Sequence, residues 1–236
     1  MIKTMDKRHT YGIMLDTETA NTLVEDDGKL DMMHVLPYDI GFAIIDSKGN
    51  IYEKYSFVID DIFCQEWKLM QSAYYAEKIP QYIRELASGK RQLITAYELK
   101  KFFKQKVEIY DCKFVCAHNM RFDLRACNNL QRWTTKSKYR YFFPKDIEIW
   151  DTLKMARDVI AKMPSYIDFC FENGYVTKHK TPQPQLTAEV LYRFITDNTD
   201  FIESHTGLED VEIETEILKY CVRQHKPMRK NLFEKN

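Results

Sequence analysis

Tyr11–Thr19 reads YGIMLDTET, and the fold turns on it. Five nonpolar or aromatic positions run straight into two acids, Asp16 and Glu18, spaced two apart. A short apolar run bounded by polar residues reads as a buried central strand. Side chains two apart on a strand share a face, so both carboxylates leave the strand on the same side. Paired acids at the end of a buried strand are costly unless a cation occupies the space between them. The plain alternative is a solvated strand end.

Outward from this strand the pattern is α/β. Residues 23–37 are polar, contain Asp-Asp-Gly and read as a loop or small excursion. Tyr38–Asp46 (YDIGFAIID) is predicted as a second strand, 47–50 (SKGN) as a turn and Ile51–Ile59 as a third strand, a hairpin pattern. Helices are predicted over 64–88 and 95–110, a fourth strand over Lys113–Ala117, a helix over Met120–Trp133 and a fifth strand over Asp146–Trp150. From Thr152 onward the chain reads as mostly helical, with Thr187 as an N-cap and a last helix over about 207–224. A three-stranded meander followed by alternating strands and helices implies a mixed sheet covered by helices. The sequence is read as one domain over residues 1–236, with a short basic tail, Lys226–Asn236, that should fray.

Composition narrows the class. Hydrophobic residues make up 44% of 236, enough for a sizeable core. No run approaches a membrane span, and residues 1–10 are charged, so the expectation is a soluble, cytoplasmic protein without a membrane partner. The 35 basic and 35 acidic residues cancel, which argues against a general duplex-DNA coater and for a local grip on any nucleic acid. Six scattered cysteines read as buried free thiols; Cys112 and Cys116 should face one side of the fourth strand, without the second pair a zinc site needs.

Three further segments bear chemistry. In 117–123 (AHNMRFD), Asp123 lies in the first turn of a helix, where the helix N-terminus favours a carboxylate. Asp151, in IWDT after the fifth strand, reads as an N-cap, the alternative being a group that supports the site from behind. In His205–Asp210 (HTGLED), a histidine precedes the last helix and an acid sits in its early turns. Singly, each is ordinary helix electrostatics or a surface residue. Together they match phosphodiester hydrolysis, where carboxylates hold two divalent ions and a neutral histidine takes a proton from water.

In this combination and order the chain resembles the histidine branch of the DEDD exonuclease superfamily, which includes the proofreading epsilon subunit of bacterial DNA polymerase III, ribonuclease T and oligoribonuclease. The first motif is matched by Asp16 and Glu18, the second by Asp123, the third by His205 and Asp210, with support from Ile40-Gly41 and Asp151-Thr152. The likeness spans residues 11 to about 222. It implies a ribonuclease-H-like fold and two Mg²⁺ or Mn²⁺ ions held by Asp16, Glu18, Asp123 and Asp210. It also implies His205 as general base, 3′→5′ cleavage to 5′-mononucleotides, and a DNA polymerase as a candidate partner. Where the family often continues its first motif with Thr-Gly, this chain has Thr19-Ala20-Asn21, in a loop that contacts the terminal nucleotide in relatives. The interval from Glu18 to Asp123 is long, implying extra structure around 60–100.

Thr17, Thr19 and Asn119 are therefore candidate nucleic-acid contacts, as are Lys136, Lys138 and Arg140. The last three lie in RWTTKSKYRYFFPK (132–145), where cations alternate with aromatics and no acid occurs, a composition suited to single strands. The sequence favours single-stranded DNA as substrate on overall likeness, with RNA trimming or a silent module on the same fold as alternatives.

Overall fold

The computed structural model describes residues 6–20, 31, 33–71, 73 and 75–235. Its strands are β1 (Tyr11–Ala20), β2 (Leu36–Asp46), β3 (Ile51–Ile59), β4 (Gln92–Ile94), β5 (Phe114–Ala117) and β6 (Glu148–Asp151). Its helices are α1 (Asp60–Phe63), α2 (Trp67–Gln71), α3 (Ile79–Ala87), α4 (Ala96–Tyr110), α5 (Arg121–Thr135), α6 (Thr152–Val159), α7 (Pro164–Glu172), α8 (Ala188–Thr196) and α9 (Gly207–Arg223). The sheet order is β4-β3-β2-β1-β5-β6. β1, β2 and β3 form an antiparallel meander, β5 and β6 run parallel to β1, and β4 runs parallel to β3. This is the mixed, helix-flanked α/β sheet expected.

Two apolar layers cover the sheet. Ile13 and Leu15 of β1 pack with Phe42, Leu99, Phe103 and Cys127 on one face. Met14 packs with Phe114, Met155, Leu191, Val211 and Leu218 on the other. Strand alternation then puts Asp16 and Glu18 on the Met14 face, toward α9. The β2–β3 turn is held by Asp46, whose Oδ1 accepts from the amides of Lys48 (2.9 Å) and Asn50 (3.0 Å). Helix α4 starts where predicted because Thr95 and Glu98 form a reciprocal capping box.

Several expectations need correction. The stretch 64–88 is not one helix but α2, a 3₁₀ turn at Ala76–Lys78 and α3, with α1 just before it. Pro80 lacks an amide hydrogen and fits only the first turn of α3, so a helix cannot run through it. β4 escaped the sequence reading because three residues show no periodicity. Cys112 and Cys116 do not share a side: Cys112 lies in the turn before β5 and packs in the first layer, Cys116 in the second. All six cysteines are free, and Cys64 is exposed. The basic tail does not fray: the Leu232 amide donates to Ile149 (2.7 Å), the Asp151 amide to Lys230 (2.9 Å), and Leu232 is buried. The loop expected over 23–37 lies largely outside the described residues, and its last two residues belong to β2. Among the described residues no helix is long and apolar enough to cross a membrane.

Candidate active site

The cleft forms where β5 stops short of β1. Their pairing ends at Met14–Cys116, so the backbone of β1 beyond Leu15 has no β5 partner. Asp123, in the first turn of α5, takes that place: its Oδ1 accepts from the Thr17 amide (3.1 Å) and the Thr17 hydroxyl (2.8 Å). Thr17 is buried and its hydroxyl donates to Asp123, so it orients that carboxylate. Thr19 follows a register shift in β1–β2 and is half-buried; Asn21 lies outside the described residues.

Helix α9 brings the third motif in from above. Its first residue, Gly207, meets Gly41 of β2 so closely that a Cβ on Gly41 would stand 2.1 Å from the Gly207 carbonyl carbon. The supporting Ile40-Gly41 match has this physical cause: only glycine allows that approach. Asp39 fixes the contact, its Oδ2 accepting from the Gly207 amide (3.1 Å), the Tyr82 hydroxyl (2.7 Å) and Arg91 (3.1 Å). Arg91 is buried and also pairs with Glu209 on α9 (3.1 Å), so the inserted α3–β4 segment clamps the start of that helix. Asp39 and Arg91 were not legible as site residues, since Asp39 is one acid in a strand and Arg91 one cation in a turn.

With α9 seated, Glu18, His205 and Asp210 each present a ligand atom within 4.8 Å of one another, a group that could hold a metal ion. Glu18 and Asp210 are buried, Asp16 half-buried. His205 has a left-handed backbone (φ 48°). Its ring stacks on Tyr75 (centroids 4.6 Å apart, 15° between planes) and its carbonyl accepts from Lys78 (3.0 Å). Lys78 also donates to the carbonyl of Ser204. The extra segment around 60–100 thus carries the groups that hold the histidine loop.

Electrostatics mark the cleft as strained without a cation. Burial and then Glu214, Asp123, Glu18 and Asp210 push Asp16 well above the usual carboxylate range. Glu18 is raised by burial and Asp210. Burial lifts Asp123 to about 7, opposed by the Thr17 hydrogen bond, and lifts Asp210 to about 8, with Glu203 adding to the rise. His205 is lowered by burial and by Lys78, which keeps its imidazole neutral near pH 7.

Glu214 was missed by the sequence reading. It lies one turn beyond Asp210 on α9, is buried, and is pushed well above the carboxylate range by burial and Asp123. The signal was available: the inward stripe of α9 runs through Gly207, Asp210, Val211, Leu218 and Cys221, and Glu214 falls on it where an apolar residue belongs.

The cleft, about 600 Å³, is walled opposite α9 by the second motif and the approach to α8. His118 Nε2 donates to the Leu186 carbonyl (2.7 Å), which leaves Nδ1 to accept from Thr152 (3.0 Å). Asn119 is exposed at the rim with φ 62°, and its amide donates to Asp151 Oδ1 (3.1 Å). Asp151 also caps α6 through the Leu153 amide (2.9 Å), so it serves both as cap and as support for the second motif. Arg157 contributes a guanidinium to the wall. Lys136, Lys138 and Arg140 are exposed but do not line this cleft; they follow the far end of α5 from Asp123. There Lys136 lies over Trp133 and Lys138 over Tyr139, while Phe142 and Phe143 are buried.

No protein-family profile and no curated protein matches the sequence. Solved structures do match. The nuclease domain of 3′hExo, a DEDDh family member bound to rAMP, superimposes with a TM-score of 0.55 at 13% identity, over 96% of this chain and 98% of that one. The fold is that of the DEDDh 3′-exonucleases. E. coli exonuclease I, in a zinc-bound complex with single-stranded DNA, matches at TM-score 0.56 and 15% identity, over 93% of this chain. Exonuclease I from Methylocaldum szegediense matches at 0.58 and 17%. This chain spans 41% of the length of each of those two exonuclease I chains. The exonuclease fold accounts for the mixed sheet, and the ribonuclease-H-like expectation holds.

Proposed function

We propose that this protein is a metal-dependent 3′→5′ exonuclease that shortens single-stranded nucleic acid, DNA in preference to RNA. One observation carries the reading. Asp16, Glu18, His205 and Asp210 line one cleft, and Asp123 accepts hydrogen bonds from Thr17 between the two acids of β1, which supports the reading. A binding-only module has no use for carboxylates held so far from their ordinary protonation.

The residues fit divalent cations. Asp210 Oδ1 and Glu214 Oε2 are buried with no hydrogen-bond partner among the described residues, which an oxygen-seeking ion would satisfy. Asp16, Glu18, Asp123 and Asp210 would hold Mg²⁺ or Mn²⁺, whose Lewis acidity stabilises charge on a phosphodiester under attack. The protein's own groups do the rest. Neutral His205 accepts the proton of the attacking water as its oxygen bonds to phosphorus and the bond to the neighbouring 3′-oxygen breaks. Lys78 and Tyr75 fix the loop and ring from which it does so. Thr17 aims Asp123, and Arg157 offers a guanidinium to the phosphate backbone. Asn119 and Thr19 lie at or near the strand end that would meet the terminal nucleotide. Lys136, Lys138 and Arg140 would form an outer contact for a longer strand, away from the reacting phosphate. No surface among the described residues singles out a polymerase.

RNA is the competing substrate, because a structural neighbour is a nuclease domain bound to rAMP and another recognises a histone mRNA stem-loop. The test is a time course on 5′-labelled DNA and RNA oligomers of one sequence. DNA should shorten from its 3′ end at least about tenfold faster, a discrimination that rests on the 2′-hydroxyl. RNA cleaved as fast or faster makes RNA trimming the better reading. In the same assay format, alanine at Lys136, Lys138 and Arg140 should flatten the salt dependence of binding, since fewer counterions are released. An unchanged salt slope removes that segment from the track.

A further inference from the structure

Glu214 has no part in the family motifs matched by this chain, yet it sits among their residues. It is 3% exposed and lines the same cleft as Asp16, Glu18, Asp210 and His205. Its Oε2 is buried without a hydrogen-bond partner among the described residues. On α9 it is four residues beyond Asp210, so the two side chains stand one above the other on one face. The rest of that face is apolar: Val211, Leu218 and Cys221 pack against the sheet. A helix needs only bulk at such a position, and leucine would supply it without the cost of a buried carboxylate.

We propose that Glu214 is a fifth carboxylate of the cation site. This rests on the reading of the cleft as a divalent-metal site. Glu214 lines the cleft beside Asp16, Glu18 and Asp210, and its unpartnered oxygen is free to meet an ion there. Glu214 therefore adds a carboxylate to the cleft from the helix that also carries Asp210. With Glu214 added to Asp16, Glu18, Asp123 and Asp210, five carboxylates would be available to two ions.

The test uses Mn²⁺ alone as probe, with free ion followed by electron paramagnetic resonance during titration of the whole protein. Glu214→Gln keeps size and shape, and Glu214→Leu completes the apolar stripe, so at least one should fold. Both should weaken the binding of one Mn²⁺ by roughly 10–100-fold, at or above the loss typical of groups that only support a ligand. Both should raise the melting temperature of the metal-free protein. Glu212→Gln, on the exposed face and paired with Lys54, should titrate as wild type. If Glu214→Gln and Glu214→Leu bind Mn²⁺ as wild type does, Glu214 is a buried structural acid and the proposal fails while the metal reading stands. If wild type binds no Mn²⁺ and Asp16→Asn behaves identically, the metal reading fails, and this inference with it.

Discussion

His205 shows how one residue acquires a role. Its left-handed backbone is uncommon for a residue other than glycine, and it is maintained by contacts from another part of the chain: Lys78 on its carbonyl and Tyr75 on its ring. Burial and Lys78 both lower its pKa, so the neutral base persists to more acid pH than for a free histidine. His205→Ala should cut turnover by roughly 10²–10⁴, the usual size of a lost general base. Affinity for an oligonucleotide in Ca²⁺ should change little. The acid limb of the activity profile should lie below about 6.5, the ordinary histidine value, because activity requires the deprotonated ring. A variant within threefold of wild type, read in single-turnover kinetics, would place the base elsewhere.

At the scale of elements, the contact between β2 and α9 sets the geometry of the cleft. Gly41→Ala would drive a methyl into the Gly207 backbone, and neither strand nor helix can yield as a side chain would. The expected cost is about 3 kcal/mol, the upper end of overpacking effects. Turnover should fall further than stability alone explains, since Asp210 and His205 move with α9. Chemical denaturation and kcat measured together check this; wild-type values for both would show that the approach is not limiting. The same contact marks what was legible in sequence. Strand β1, the β2–β3 hairpin, helix α4 and the helix after His205 follow from periodicity and caps, which are local. Asp16, Glu18, Asp123, His205 and Asp210 were singled out by their order and contexts together and by the family resemblance, since each alone reads as ordinary. Asp39, Arg91, Tyr75 and Lys78 were not, since their roles exist only once α3 and β4 fold against α9. Glu214 lies between these cases: its place on the inward stripe was readable, its unpartnered oxygen was not. The 132–145 segment is mixed. Its cations are exposed as a track requires, but Phe142 and Phe143 are core, and α5 carries the segment away from Asp123.

For the whole molecule, the carboxylate cluster couples stability to pH and to cations. Asp123 at about 7 and Asp210 at about 8 bind protons more tightly in the folded chain than the ordinary carboxylate near 4 in the unfolded one. Their contribution is therefore fully present below about pH 4 and is lost as pH rises through the folded values. The melting temperature of chelator-treated protein should fall between about pH 5 and pH 8, as that linkage requires. Mn²⁺ should restore more at the upper end, where the site is ionised and binding adds by mass action. A flat profile, with equal Mn²⁺ shifts at both ends, would mean that the acids do not form one cation site.

The most direct measurement is turnover of a 5′-labelled single-stranded DNA oligomer by wild type and Asp16→Asn, each with Mn²⁺ and with chelator. Wild type with Mn²⁺ should yield a ladder shortening from the 3′ end and release 5′-mononucleotides. The other three reactions should leave the oligomer intact, while Asp16→Asn remains folded and, without metal, melts no lower than wild type, since it removes one of several repelling carboxylates. Unshortened oligomer with wild type and Mn²⁺, or an Asp16→Asn ladder as fast as the wild-type one, would contradict the account.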